Sequence, residues 1–225
     1  MIGSDLLYTA HVPPGPGPFP TVIALHGWGA GAHDLLGLAP MLHGGRALML
    51  CPQGSVTVPI GGGAKGYGWF PLVPGQPPDP AGYLNAAEQL QSWIGQVLER
   101  YPADPGKVVL TGFSQGGVMG YGLALSRPER FAGLAALSAW LPAPVTELVP
   151  KRPEHEGFQV LIVHGTEDAM LDVERARESR EALRPYGVTL TYREFEMGHE
   201  IRPEALRVVV RWLDERVFAR VPSPG

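Results

Sequence analysis

The stretch Lys107-Val108-Val109-Leu110-Thr111-Gly112-Phe113-Ser114-Gln115-Gly116-Gly117 decides how this chain is read. Its first half is a short apolar run of buried-strand type, and a helical apolar pattern follows over residues 118–126. Between them stands Gly112-x-Ser114-x-Gly116, the spacing of a nucleophile elbow. There a serine occupies a strained turn from strand to helix, and the residues two before and two after it come so close that side chains would collide. Glycine at both positions meets that demand. Chance alone produces such a pattern often enough that the surrounding chain has to carry the argument.

Upstream, residues 6–12 read as a strand, and a Pro/Gly turn over 13–20 leads to the apolar run 21–25, which stops at His26-Gly27-Trp28-Gly29. Leu35, Leu36, Leu38, Ala39 and Leu42 follow Asp34 at helical spacing, with Gly44-Gly45 as a stop, and residues 47–51 form a third strand. Residues 52–82 turn to glycine and proline, interrupted by Tyr67, Trp69, Phe70, Leu72 and Val73. Loops this long are commonly lids or binding loops. The apolar patch either pins the loop to the core or lines an acyl pocket. The Gly61-Gly62-Gly63 run lacks the following Gly-Lys-Ser/Thr of a phosphate cradle.

Residues 85–101 form a helix closed by Pro102. Beyond the elbow, glycines at 116, 117, 120 and 122 would weaken an exposed helix and point to backbone packed closely on a sheet. Strands over 134–138 and 160–163 flank an irregular proline-rich segment, 141–157. A charged helix over 172–186, a strand over 188–195 and a helix over 203–218 complete the chain. This alternation predicts a mostly parallel central sheet with helices on both faces, in one domain spanning residues 1–225 and without a large cap domain.

Composition narrows the function. A net charge of -4 without a basic cluster gives no footprint for nucleic acid or an anionic membrane. No apolar segment reaches bilayer length, and the start of the chain lacks a basic region followed by an apolar one, which predicts a cytoplasmic protein. The single cysteine, Cys51, lies in an apolar run and reads as a buried small hydrophobe. The seven histidines form no H-x-x-x-H pair and no cysteine cluster exists, so neither a metal nor a cofactor is expected.

In a parallel sheet, ligand sites gather beyond the carboxyl ends of the strands. Those ends carry His26-Gly27-Trp28-Gly29, Ser114, His164-Gly165-Thr166-Glu167-Asp168 and Met197-Gly198-His199. A serine hydroxyl needs a base to take its proton, and His199 fits that task. A carboxylate would orient the imidazole; Asp168 fits, with Glu167 and Asp172 as competing acids. The oxyanion requires preorganised donors: the backbone NH of Gln115 at the helix start, and the NH of Trp28 in the glycine-flanked turn after the second strand. Trp28, Trp69, Phe70 and Leu72 are candidate substrate-binding side chains, with plain core packing as the competing role for Trp28. His26 and His164 read as hydrogen-bonded turn residues.

Leu25-His-Gly-Trp-Gly29, Gly112-Phe-Ser-Gln-Gly-Gly117, His164-Gly-Thr-Glu-Asp168 and Met197-Gly-His-Glu-Ile201 together resemble the signature blocks of the carboxylesterase/phospholipase group of α/β-hydrolases, which includes the acyl-protein thioesterases. The resemblance implies the α/β-hydrolase fold, Ser114 as nucleophile with Asp168 and His199 as partners, and Trp28 and Gln115 as the oxyanion hole. It also implies a cytosolic enzyme that cleaves esters or thioesters, often as a dimer. Two positions depart from the family pattern. Trp69-Phe70-Pro71 stands where Trp-Phe-Asp is usual, and Leu171-Asp172 where Val-Pro commonly follows the acid. Both lie beside the expected acyl and leaving-group regions. The expectation is therefore a serine carboxylesterase acting on a small ester, with lysophospholipase or acyl-protein thioesterase as alternatives and a non-catalytic binding protein as the reading from another class.

Overall fold

The computed structural model describes residues 6–73 and 79–219. Seven strands form the main sheet: β1 (Tyr8–His11), β2 (Phe19–Leu25), β3 (Leu48–Pro52), β6 (Ala103–Phe113), β7 (Gly133–Leu137), β8 (Gln159–Gly165) and β9 (Thr189–Phe195), in the spatial order β1-β3-β2-β6-β7-β8-β9. All neighbouring pairs are parallel except β1 with β3. A two-stranded hairpin, β4 (Val56–Pro59) and β5 (Lys65–Gly68), stands apart from it. The α-helices are α1 (Pro80–Arg100), α2 (Gln115–Ser126), α3 (Ala143–Leu148), α4 (Glu174–Leu183) and α5 (Pro203–Trp212).

Period two explains why the central strands are apolar throughout. Ile23, Leu25, Leu48, Leu50 and Leu110 point to one face, against Leu90, Trp93 and Ile94 of α1, Met119 and Leu123 of α2, and Leu183 of α4. Val22, Ala24, Met49, Cys51 and Val109 point to the other, against Leu35, Leu42 and Leu206, Val209 and Trp212 of α5. Each face has its own core, and the sheet lies between them. Burial pushes the Cys51 thiol up to about 12, so it packs as a hydrophobe and not as a nucleophile.

Several elements differ from the sequence expectation for physical reasons. The helix expected after Asp34 reduces to 3-10 turns at Leu36–Leu38 and Leu42–Gly45, because Pro40 has no N–H to continue the ladder and His43 and Gly44 adopt positive φ. The long loop contains the β4–β5 hairpin, and its triple glycine is the hairpin tip, with positive φ at Gly61, Gly62 and Gly63. Helix α1 starts at Pro80, earlier than expected: the Asp79 side chain accepts from the amides of Ala81 and Gly82, an N-cap followed by proline at the first helical position. The loop reading for residues 74–78 lies outside the described residues. The segment expected to be irregular over 141–157 holds the short α3, and α5 runs on into a π-helical turn, Leu213–Phe218.

Candidate active site

Four strand ends meet at one edge of the sheet. At the end of β6, Ser114 has φ 52 and ψ -121, a conformation that costs a non-glycine residue about 1–3 kcal/mol and persists only where packing over-determines it. The packing does so. A Cβ at Gly112 would run into Gly116 and Gly117, and one at Gly116 would strike the carbonyls of Leu25 and His26. The Ser114 amide donates to the Leu137 carbonyl at 2.9 Å, tying the turn to β7. Helix α2 then starts at Gln115 and is buried along nearly its whole length, which accounts for its lack of a polar face.

The loops after β8 and β9 are zipped together. Thr166 N–H donates to the Phe195 carbonyl at 2.8 Å and Glu167 N–H to the Met197 carbonyl at 3.1 Å. That close approach leaves no room for a side chain at Gly165. It also sets Asp168 against His199: His199 Nδ1 lies 2.7 Å from Asp168 Oδ2. The Asp168 carboxylate is enclosed by protein, and its Oδ1 accepts from the amides of Met170 at 3.0 Å and Leu171 at 2.8 Å. Of the competing acids, Glu167 is exposed, and Asp172 is exposed with its carboxylate accepting from the Glu174 amide. The structure thus brings Asp168 to His199.

With Nδ1 donating to the carboxylate, His199 Nε2 keeps its lone pair. The Phe113 ring, one residue before Ser114, lies 4.8 Å from the imidazole. Ser114 Oγ makes no hydrogen bond to His199 among the described residues; such bonds are often long before substrate arrives.

Two amides beside the elbow, those of Trp28 and Gln115, have no protein acceptor among the described residues. The hairpin and the segment after it fix both. Gly29 N–H donates to the Tyr67 carbonyl at 2.8 Å and Tyr67 N–H to the Ala30 carbonyl at 2.7 Å, while the Trp28 ring packs on Gly68. The buried Gln115 side chain accepts from the Trp69 amide at 2.9 Å and donates to the Phe70 carbonyl at 2.7 Å. Trp69 Nε1–H donates to the His26 carbonyl at 2.8 Å. Trp69 and Phe70 are therefore buried struts, whereas Trp28 and Leu72 remain partly exposed. His26 is likewise a turn residue. Its Nδ1 donates to the Gly27 carbonyl, its Nε2 accepts from Gly54, and burial holds its pKa below the ordinary imidazole value.

A cavity of about 550 Å³ opens on the other flank of α2, lined by Tyr83, Leu84, Ala87, Gly122, Trp140 and Leu148 among others. Its wall residue Tyr83 packs edge-on against Phe70, with the ring centroids 5.6 Å apart. Apart from the packing glycine at 122, none of these walls was singled out in the sequence, because they come chiefly from α1, α2 and the segment after β7, each ordinary on its own. Among the described residues no cluster of metal-ligating side chains is present and no helix is long and apolar enough to cross a membrane.

Comparison with known proteins agrees with this architecture. Residues 12–216 match the Phospholipase/Carboxylesterase family model. The chain is 27% identical over 214 residues to an acyl-protein thioesterase 1 of Neurospora crassa, covering 88% of this chain and 86% of the relative. It is 28% identical over 162 residues to Carboxylesterase SOBER1 of Arabidopsis thaliana, covering 69% of this chain and 70% of the relative. The crystal structure of the Bacillus cereus carboxylesterase shares the fold with a TM-score of 0.81 at 19% identity, over 95% of this chain and 96% of that one. Fold, strand-end residues and family model converge, and the chain belongs to the phospholipase/carboxylesterase family of α/β-hydrolases, which act on carboxylic esters.

Proposed function

We propose that the chain is a serine carboxylesterase working through Ser114, His199 and Asp168. Ser114 Oγ attacks the ester carbonyl as its proton passes to His199 Nε2. The resulting oxyanion rests on the amides of Trp28 and Gln115, at the positive end of α2. His199 then protonates the departing alcohol, leaving an acyl-serine. A water molecule activated by the same imidazole attacks the acyl carbonyl, and collapse of the second tetrahedral intermediate releases the acid and returns the proton to Ser114. Asp168 keeps the imidazole in the Nδ1–H tautomer and stabilises the imidazolium formed in each half.

The observation that carries this reading is the 2.7 Å pair between His199 Nδ1 and the enclosed Asp168 carboxylate at the corner where Ser114 holds positive φ. The flanking cavity, apolar on most of its walls, would receive the acyl chain. This favours esters of medium or longer acyl length, handled by a single domain in the cytoplasm. Turnover of p-nitrophenyl esters from acetyl to dodecanoyl, beside a palmitoyl thioester and a lysophospholipid, tests it. Hydrolysis rising with chain length is the expected result. Activity confined to the thioester or the lysophospholipid would move the assignment to those classes.

A further inference from the structure

His164 is a buried titratable residue that takes no part in the steps above. It stands in the C-terminal end of β8, fully enclosed, four residues before Asp168. Its Nε2 lies 2.8 Å from the Leu171 carbonyl oxygen and 3.4 Å from Asp168 Oδ2. A carbonyl oxygen only accepts, so the ring donates from Nε2. Nδ1 meets no partner among the described residues. Leu171 returns its own N–H to Asp168 Oδ1 at 2.8 Å, which closes a ring of contacts through His164, Leu171 and Asp168.

An enclosed imidazole with one nitrogen unpaired is costlier to bury than an apolar side chain of similar size. What it supplies that an apolar residue lacks is the Nε2–H, and that proton points at the turn carrying the acid. His199 donates to Asp168 Oδ2 from the solvent side, and His164 leans on the same oxygen from the core. We propose that His164 is a positioning residue: it clamps the turn over residues 168–171 so that Asp168 Oδ2 is presented to His199. This rests on the catalytic reading of Ser114, His199 and Asp168. A carboxylate free to rotate by about 1 Å would leave the imidazole poorly aligned for proton transfer, a displacement worth about 100-fold in rate.

The test compares the native enzyme with His164→Phe and His164→Gln on an acetyl aryl ester, with rates expressed per active site titrated by a phosphonate. In His164→Phe, kcat is expected to fall about 10- to 100-fold with KM within about twofold, and the acid limb of the pH profile to move to lower pH as the imidazolium loses its aligned carboxylate. His164→Gln keeps a donor near the Nε2 position and is expected to restore most of kcat and the native pH limb. A native kcat and pH profile per titrated site in His164→Phe would overturn the proposal, whatever the variant's melting temperature. Should that variant fail to fold, ring ¹⁵N–¹H spectra of the native protein decide: an Nε2–H tautomer with a slowly exchanging proton supports the clamp, and an Nδ1–H tautomer refutes it. Native turnover that survives Ser114→Ala would instead remove the catalytic reading, leaving the tautomer as the test of the hydrogen bond.

Discussion

The two flanks of α2 are built to different standards. At its N-terminal end, Ser114 is held by the Leu137 carbonyl, by glycines with no room for a Cβ, and by the Gln115 side chain bonded to two residues of the neighbouring segment. At the cavity flank, α3 is six residues long with one buried side chain, Val145, while Leu84 and Leu148 leave apolar surface in solvent. In the proposed reaction the first flank would hold the reacting atoms, where small displacements are expensive. The second, if it receives the acyl chain as proposed, would meet only methylenes, which ask for volume and little geometry. Over-determined backbone on one side and loosely walled space on the other is what a hydrolase needs to keep its chemistry while its substrate range varies.

Substitutions on the two flanks should therefore separate cleanly. Ser114→Ala is expected to lower ester turnover about ten-thousandfold or more with the melting temperature unchanged, measured by burst-free steady-state kinetics and calorimetry. Gly116→Val places a side chain on the Leu25 and His26 carbonyls. It should give protein that is inactive and markedly less stable, and a variant that melts like the native protein would show that the elbow is not over-determined. On the opposite flank, Ala87→Trp fills cavity space. Its kcat/KM for a dodecanoyl ester should drop at least about tenfold while the acetyl ester is unaffected. Equal losses on both esters would mean that the cavity does not receive the acyl chain.

The smallest effect belongs to the edge strand β9 and the helix beside it, α4. Arg177 donates to both carboxylate oxygens of Glu194, at 2.9 and 2.8 Å, and holds that carboxyl at about 2 against an ordinary value of 4.5. Because the folded pKa is depressed, the stability it contributes is present above about pH 4.5 and is lost as pH falls toward 2. The pair is partly exposed, so Glu194→Gln should lower the melting temperature at pH 7 by no more than about 2–4 °C, and the difference should vanish near pH 2.

The same division explains what was legible in the sequence. Apolar runs of period two and the glycines of the elbow report on strict local constraints, so the strands of the main sheet, the tight turn at Ser114 and the strand-end positions of Asp168 and His199 are legible in the sequence, whereas the choice of Asp168 over Glu167 and Asp172 as the partner of His199 needs the fold. The Trp69-Phe70 patch reads in the sequence as a candidate substrate wall, and its packing against the elbow is not legible there, because only the fold shows that Gln115 reaches across 45 positions to bond it. The cavity was not legible, since three separate elements contribute walls that look like ordinary helix or loop. The hairpin was hidden by glycine and proline, whose composition signals turns while saying nothing of the four-residue strands between them.

The most direct test of the central claim is covalent labelling of the folded native protein with a serine-directed phosphonate, mapped by mass spectrometry. The account predicts stoichiometric modification at Ser114, slowed strongly in His199→Ala and Asp168→Asn and absent in Ser114→Ala. Labelling at another serine, or a Ser114 in folded protein that does not react, would contradict it.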